Sequence, residues 1–290
     1  MRKIDLEQGS DAWLLWRKSV LTATDASVIM GVSPYDTPYK LWQKKMGLGQ
    51  EPFFNSAMAR GVHDEPIARR LFMEKTGVSI TPVCIESDNY PILGASLDGI
   101  SDCGKYSVEI KSNGDQYHFA LRSSGEIPDF HWIQMQHQMM CMDGKAEKGY
   151  YVSYNKGDMI IKEVEPDTAW MEKYLEKANQ FWSCLVFSEP PAPTSRDYKD
   201  MTYNPVWASI ASEYRITCEE IKVLEAKKEK MKEQLIEIAT EESSAAHGIK
   251  LLKKSVKGRV DYDLVPELKG INLDKYRKPT TNVWSITLDK

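Results

Sequence analysis

Apolar positions in this chain recur first every three or four residues, then every second residue, then every three or four again. Helices should therefore bracket a block of strands. The stretch EQGSDAWLLWRKSVLTATDAS (7–27) predicts two helices with a break between them. Ser10 or Asp11 can cap the first, and Thr22 or Thr24 the second, which ends at Gly31. A proline-rich turn over Ser33–Pro38 precedes a short amphipathic helix through Leu41, Trp42 and Met46. Residues 56–76 predict a longer helix ending at Gly77, in which Pro66 should start a turn or kink directly after Glu65.

Alternation takes over at residues 78–112. Val78–Val83 and Cys84–Glu86 approach a sheet, and Ile92–Leu97 and Tyr106–Lys111 predict a hairpin turning through Ser101–Lys105. Residues 129–142 are helical, with Met135, Met139, Met140 and Met142 forming a buried face. Tyr150–Tyr154 and Met159–Val164 predict a second hairpin around Asn155–Asp158. Residues 167–187 form an amphipathic helix rich in aromatics, and the prolines of EPPAPT (189–194) mark a boundary. Two parts follow: a mixed α/β (α+β) core over 1–194 and a C-terminal segment over 195–290. In the latter, Trp207, Ile210, Tyr214, Thr217, Ile221, Leu224, Lys228, Met231, Leu235 and Ile238 fall at alternating spacings of three and four. This is a heptad seam with one polar interruption, to be packed on another helix in cis or in trans. GIKLLKKSVKGRVDYDL (248–264) then reads as β-like, with an irregular tail through Trp284 and Ile286.

At 290 residues the chain can bury a full core. It has no bilayer-spanning apolar run and no signal-peptide core, so a cytoplasmic protein with no membrane association is expected. Five cysteines, odd in number and scattered, argue against a disulfide framework or a zinc ribbon. Net charge is −4, whereas proteins that coat nucleic acid are usually basic, so any DNA contact must be confined to a groove or channel. Residues 1–200 carry 22 basic and 28 acidic residues; residues 201–290 carry 16 and 14. In that more basic part, Lys250, Lys253, Lys254, Lys257 and Arg259 either form a solvated hairpin or line a path for DNA or a partner.

The densest chemistry lies in LGASLDGISDCGKYSVEIKS (93–112). Asp98 ends one apolar strand, and Glu109 and Lys111 flank Ile110 on the next. Alternation points Glu109 and Lys111 the same way and Ile110 into the core. Two carboxylates and an ammonium at a strand end suit a hard divalent ion and a phosphodiester. Alone, this spacing is common in surface hairpins. The apolar residues between, and Glu65 on an upstream helix, strengthen the functional reading. Elsewhere, His63 and Asp64 are expected to face solvent, Asp102 and Asp115 to sit in turns, and His118, His131 and His137 to make hydrogen bonds or lie at the surface. Trp13 and Trp16 are expected to pack.

The order of helix glutamate, strand aspartate and E-x-K resembles the PD-(D/E)xK nucleases. The flanking blocks are similar to the YqaJ-type viral recombinase branch, which includes the phage-lambda-type alkaline exonucleases. Those blocks are Gln8-Gly9, Trp13, Arg17, Thr22-Ala23 and Thr24; GVHDEPIARRLF with Glu65; LGASLDGI and VEIKS with Asp98, Glu109 and Lys111; and HWIQMQHQMM with Gln134 and Gln136. The resemblance implies a restriction-endonuclease-like core, a central mixed sheet flanked by helices. It implies that Asp98, Glu109 and the Ile110 carbonyl bind Mg2+ (with Mn2+ able to substitute), that Glu65 assists a second ion, and that Lys111 positions the attacking water. Gln134 would orient water or phosphate. Arg17 and Thr24 would grip a terminal 5′-phosphate, although many relatives have serine at the position of Thr24. The implied activity is 5′-to-3′ digestion of one strand of linear duplex DNA. It would leave a 3′ overhang for a single-strand annealing protein, and would be carried out by a homotrimeric ring of phage or prophage origin in a bacterial cytoplasm. Two alternatives stay open: an endonuclease or nickase of the same fold, and a non-catalytic DNA-binding recombination scaffold.

Overall fold

The computed structural model describes residues 1–49, 55–240 and 242–253; Lys254, Lys257 and Arg259 lie outside the described residues. The chain divides into two compact units, Met1–Lys199 and Asp200–Lys290.

In the first unit the elements are β1 (Arg2–Ile4), α1 (Asp11–Ser19), α2 (Ala23–Ile29), α3 (Pro38–Lys45), α4 (Ser56–Thr76), β2 (Ile80–Glu86), β3 (Gly94–Ser101) and β4 (Tyr106–Ser112). They are followed by α5 (Asp115–Ser124), α6 (Asp129–Cys141), β5 (Lys148–Asn155), β6 (Asp158–Val164) and α7 (Thr168–Val186). The six strands form one mixed sheet in sequence order. All neighbours are antiparallel except β4 and β5, which run parallel and are joined by the crossover through α5 and α6. Helices cover both faces. Phe72 and Ala68 of α4 pack on Val108, Ile110 and Val152. On the opposite side of β5, Tyr151 packs with Met135 and Met139 of α6. The largest cluster joins Leu93, Ala95 and Leu97 to α2, α6 and α7.

Local chemistry explains the starts and stops. Ser10 caps α1 by accepting from the Trp13 amide at 3.2 Å. The Thr22 amide donates to Asp25 across the first turn of α2 at 2.8 Å. Between β5 and β6, Lys156 and Gly157 take left-handed φ values of 50° and 90°, as a two-residue hairpin turn requires. All four methionines of the α6 region are buried.

Two local expectations need correction. Pro66 does not interrupt its helix: α4 runs unbroken from Ser56 to Thr76. Proline removes one hydrogen bond there, but Pro66 is exposed, and Ala68 and Phe72 beyond it are buried against the sheet, so packing holds the helix together. Asp115 is not a turn residue; it occupies the first turn of α5, a helix with no strong periodic signal, and its carboxylate accepts from Asn155 at 2.7 Å. The hairpin expected around Asp98 forms, but its ladder is short. Only Gly99 with Val108 and Ile100 with Ser107 are in register, and beyond them β3 and β4 part.

The second unit contains α8 (Pro205–Ile238) and a small hairpin of β7 (Ser244–Ala246) and β8 (Ile249–Leu251). The predicted β-like stretch is thus partly seen, starting a few residues earlier. Lys250 lies on β8 and Lys253 just after it, both exposed. Among the described residues no helix is long and apolar enough to cross a membrane.

Candidate active site

The parting of β3 and β4 creates the site. Where the ladder ends, the Ile110 amide donates to the Asp98 carboxylate at 2.7 Å instead of to a strand. Gly99 follows directly, and a Cβ there would meet Cδ1 of Ile80 at 2.5 Å, so only glycine fits without displacing that side chain. Glu109 and Lys111 project to the face opposite Ile110, as alternation requires, and form an ion pair in which Glu109 is 2 % exposed.

Glu109 is held from a second side. On α6, Gln134 Nε2 donates to Oε1 at 2.6 Å and Gln138 Nε2 donates to Oε2. The two glutamines are four residues apart and share one helix face. Gln138 Oε1 has no hydrogen-bond partner among the described residues. Gln136 instead ties α6 to the chain before α7, donating to the Glu165 carbonyl at 2.8 Å and accepting from the Asp167 amide at 2.8 Å.

Glu65 enters from α4. Arg69, one turn on, pairs with its carboxylate and also donates from Nε to the Asp98 carbonyl at 2.8 Å. The cleft so formed holds about 350 Å3 and is lined by Glu65, Asp98, Glu109, Lys111, Gln134 and Arg17, among others. Burial, then repulsion from Glu109 and Glu65, pushes the Asp98 carboxyl well above its ordinary range. Burial raises Glu65 too, with Glu109 adding to the rise and Arg69 opposing it. Burial works against the Lys111 charge, but Glu109 and Asp98 outweigh it and hold the ammonium more firmly protonated.

Behind Lys111 lies a neutral polar network. Burial and the Lys111 charge push His131 down to about 3, and burial pushes Tyr151 up to about 12. Asn113 donates to the Tyr151 hydroxyl at 3.1 Å, and that hydroxyl contacts His131 Nδ1 at 2.8 Å. With both groups neutral, Lys111 finds its counter-charge only in the carboxylates.

Arg17 and Thr24 meet at the other end of the cleft. Arg17 Nη2 donates to Thr24 Oγ1 at 2.8 Å, and the guanidinium lies over the Trp13 ring at 4.5 Å. Arg17, Thr24, Lys111 and Gln134 also line an adjoining cavity of about 400 Å3 that contains Lys18, Lys44 and Lys45. The last two pair with Asp36 and Asp25, so the cavity's cations outnumber its carboxylates. An acidic cleft and a basic pocket therefore share a wall.

Every core residue predicted from the sequence is brought to this cleft: Glu65, Asp98, Glu109, Ile110, Lys111 and Gln134, with Arg17 and Thr24 at its edge. Sequence reasoning missed Arg69 and Gln138. Their signal was the four-residue spacing from Glu65 and Gln134, which places each on the same helix face. His63 is exposed and pairs with Asp64 at 2.9 Å. His137 is buried between the Tyr174 hydroxyl at 2.8 Å and the Gly94 carbonyl at 2.9 Å. His118 is buried between Ser153 at 2.8 Å and Asp158 at 3.1 Å.

Among the described residues no three His, Cys, Asp or Glu side chains form a ready metal cage. The donor set fits a hard ion of another kind. Mg2+ is bound through one or two carboxylates, with water and substrate phosphate completing its shell. Here, burial first and then the neighbouring carboxylates disfavour the charge on Asp98 and Glu65, which a cation would relieve.

Residues 12–145 match the family described as the YqaJ-like viral recombinase domain. The uncharacterized protein YqaJ of Bacillus subtilis (strain 168) is 26% identical over 186 residues, which is 62% of this chain but only 57% of that protein. The crystal structure of an alkaline exonuclease, LHK-Exo, from Laribacter hongkongensis superposes with a TM-score of 0.55 at 24% identity. The likeness covers 62% of this chain and 94% of that one. A second crystal structure of LHK-Exo, in complex with dAMP, matches equally well. The six-stranded mixed sheet flanked by helices is thus the fold that this chain shares with LHK-Exo. The sequence blocks and the fold agree with the family match: residues 12–145 of the chain are similar to the YqaJ-like viral recombinase domain.

Proposed function

We propose that this protein is a divalent-metal-dependent exodeoxyribonuclease that digests one strand of linear duplex DNA from a 5′ end. One observation carries the reading. Three carboxylates, a lysine and a glutamine converge on a cleft that opens beside a basic pocket at Arg17 and Thr24. The exonuclease fold of LHK-Exo, and the dAMP in one of its crystals, support a mononucleotide-releasing chemistry.

Asp98, Glu109 and the Ile110 carbonyl would hold Mg2+, or Mn2+ in its place, and Glu65 would assist a second ion. Bound there, the ions would supply phosphate-charge neutralisation and a more acidic water. The chain's own residues do the rest. Lys111, kept protonated by its carboxylate neighbours, donates to the attacking water and fixes its approach. Gln134 presents an amide that can turn from Glu109 to phosphate oxygen. Arg17 lies over Trp13, and its guanidinium would grip a terminal phosphate together with the Thr24 hydroxyl that it already bonds. The neutral Tyr151–His131 pair keeps the wall behind Lys111 from competing for its charge.

In this reading the 3′ overhang passes to a single-strand annealing protein, and a ring of three copies encloses the duplex. The endonuclease alternative shares Lys111 and the carboxylates but has no use for a phosphate grip at Arg17.

The test uses duplexes with and without a 5′-phosphate, labelled at one end. Labelled mononucleotide should appear first from the 5′ label, and Arg17→Ala should abolish the preference for phosphorylated ends. Early release from the 3′ label, or an Arg17→Ala variant equally slow on both substrates, would overturn the direction and the role of Arg17.

A further inference from the structure

Helix α8 is 34 residues long and contains no buried residue. Its heptad seam is fully formed and bare: Trp207 is 58%, Ile210 61%, Leu224 62% and Ile238 79% exposed. A seam of this kind is covered in a helix pair, and the charges beside it determine which pair.

Written as heptads, Trp207, Tyr214, Ile221, Lys228 and Leu235 occupy one core position, and Ile210, Thr217, Leu224, Met231 and Ile238 the other. In a parallel, in-register pair of copies, Lys228 would face Lys228. The flanking positions would set Glu220 against Glu225 and Lys227 against Lys232, like against like at every charged pair. Turned antiparallel, all ten core residues find opposite partners in one register. Trp207 faces Ile238 of the second copy, Tyr214 faces Met231, Ile221 faces Leu224, and Leu235 faces Ile210. The single polar interruption then meets the seam's other polar residue, Lys228 against Thr217. The flanking Glu220 lies beside Lys227 of the second copy, twice by symmetry. Sliding by one heptad in either direction loses a layer and sets Glu220 against itself or Lys227 against itself.

We infer that α8 is the surface on which a second copy of this chain docks, as an antiparallel two-helix coiled coil centred on Ile221 and Leu224. The overlap is about 50 Å long at the rise of an α-helix. A two-fold contact doubles whatever assembly the first unit makes: one copy becomes two, and a ring of three becomes six.

The test is the mass of the full chain by light scattering, with oxidative cross-linking. Ile221→Asp places a charge in both central layers and should halve the copy number, while unfolding of the first unit stays unchanged. Glu225→Cys places a thiol beside the native Cys218 of the second copy and should give a disulfide-linked dimer with diamide. The link should disappear when Cys218→Ser is added. Residues 218 and 225 of one helix are two turns apart, too far for a bridge within one copy. Glu213→Cys, the neighbour of Cys218 in a parallel pair, should not link. An odd copy number, a mass indifferent to Ile221→Asp, or linking through Glu213→Cys in place of Glu225→Cys would overturn the inference. None of these outcomes depends on nuclease activity.

Discussion

Arg69 should be as necessary to the site as any residue that touches substrate, because its guanidinium ties α4 to the edge of β3. Arg69→Met keeps the apolar stem and removes both bonds. The Nε donor to the Asp98 carbonyl, at 2.8 Å, is a charge-assisted hydrogen bond. Its loss should cost about 1.5–3 kcal/mol. The ion pair to Glu65, with Arg69 16% and Glu65 31% exposed, is partly screened and adds about 0.5–1 kcal/mol. Urea unfolding in EDTA at pH 7 should therefore show a loss of about 2–4 kcal/mol. Arg69→Lys should recover only the smaller, ion-pair part, since an ammonium cannot bond in two directions as the fork does. The pH dependence has a definite sign. Glu65 is raised by burial, so the folded state binds its proton more tightly than the unfolded chain does. Its ionisation costs stability above the raised value, and that cost vanishes as pH falls to the ordinary carboxylate range. Without Arg69 the cost grows. The defect should be largest at neutral pH and shrink toward pH ~4, leaving the carbonyl part. Combined with Glu65→Gln, the two changes should couple by about 0.5–1 kcal/mol. An Arg69→Met protein within about 0.5 kcal/mol of wild type, or a defect that deepens in acid, would refute the reasoning.

Lys111→Met should leave the fold intact but slow phosphodiester cleavage by about 10²–10³-fold. It should also destabilise the metal-free protein by about 3 kcal/mol, because Glu109 stays buried without its cation; added Mg2+ should restore part of that loss, as read by thermal unfolding. Gly99→Ala should cost about 1–3 kcal/mol through overpacking against Ile80. Adding Ile80→Val, which removes the offending Cδ1, should lower that penalty in a double-mutant cycle. His137 is pushed by burial from 6.5 to about 4. The unfolded chain therefore takes up its proton first as pH falls, and about 3 kcal/mol is lost between pH 6.5 and 4. His137→Gln should flatten that limb of the unfolding midpoint against pH; an unchanged slope would show that His137 is not the group responsible.

The strand part of the site was legible because alternation alone fixes which side chains share a face, whereas Gln134, Arg17 and Thr24 came from the resemblance to the family's blocks. Glu109, Lys111 and the inward Ile110 follow from period two; Asp98, expected to end its strand, stands inside β3, which continues to Ser101. The caps at Ser10 and Thr22 carried the N-terminal helices for the same reason: the signal is local. What local pattern could not show was tertiary. Pro66 signalled a break, and the packing of Phe72 and Ala68 overrode it. Helix α5 has short polar turns and only His118 and Leu121 buried, so it carried too little periodicity to be seen. The parting of β3 from β4 has no sequence signature; it emerges from β4 choosing β5 as its long partner. Arg69 and Gln138 matter through what they touch across elements, which spacing indicates only once Glu65 and Gln134 are known to face the cleft.

The central claim is that the Asp98–Glu109–Lys111 cleft, entered from a DNA end, is a metal-dependent nuclease centre. Nucleotide release measured side by side on linear 5′-phosphorylated duplex and on closed circular duplex, with and without Mg2+, tests it most directly. The expected result is mononucleotides from the linear duplex only, only with Mg2+, and none from Asp98→Asn. Cutting of the closed circle at a comparable rate would make the cleft an endonuclease centre. No release from either duplex with Mg2+ or Mn2+ would leave the chain a recombination scaffold on a nuclease fold.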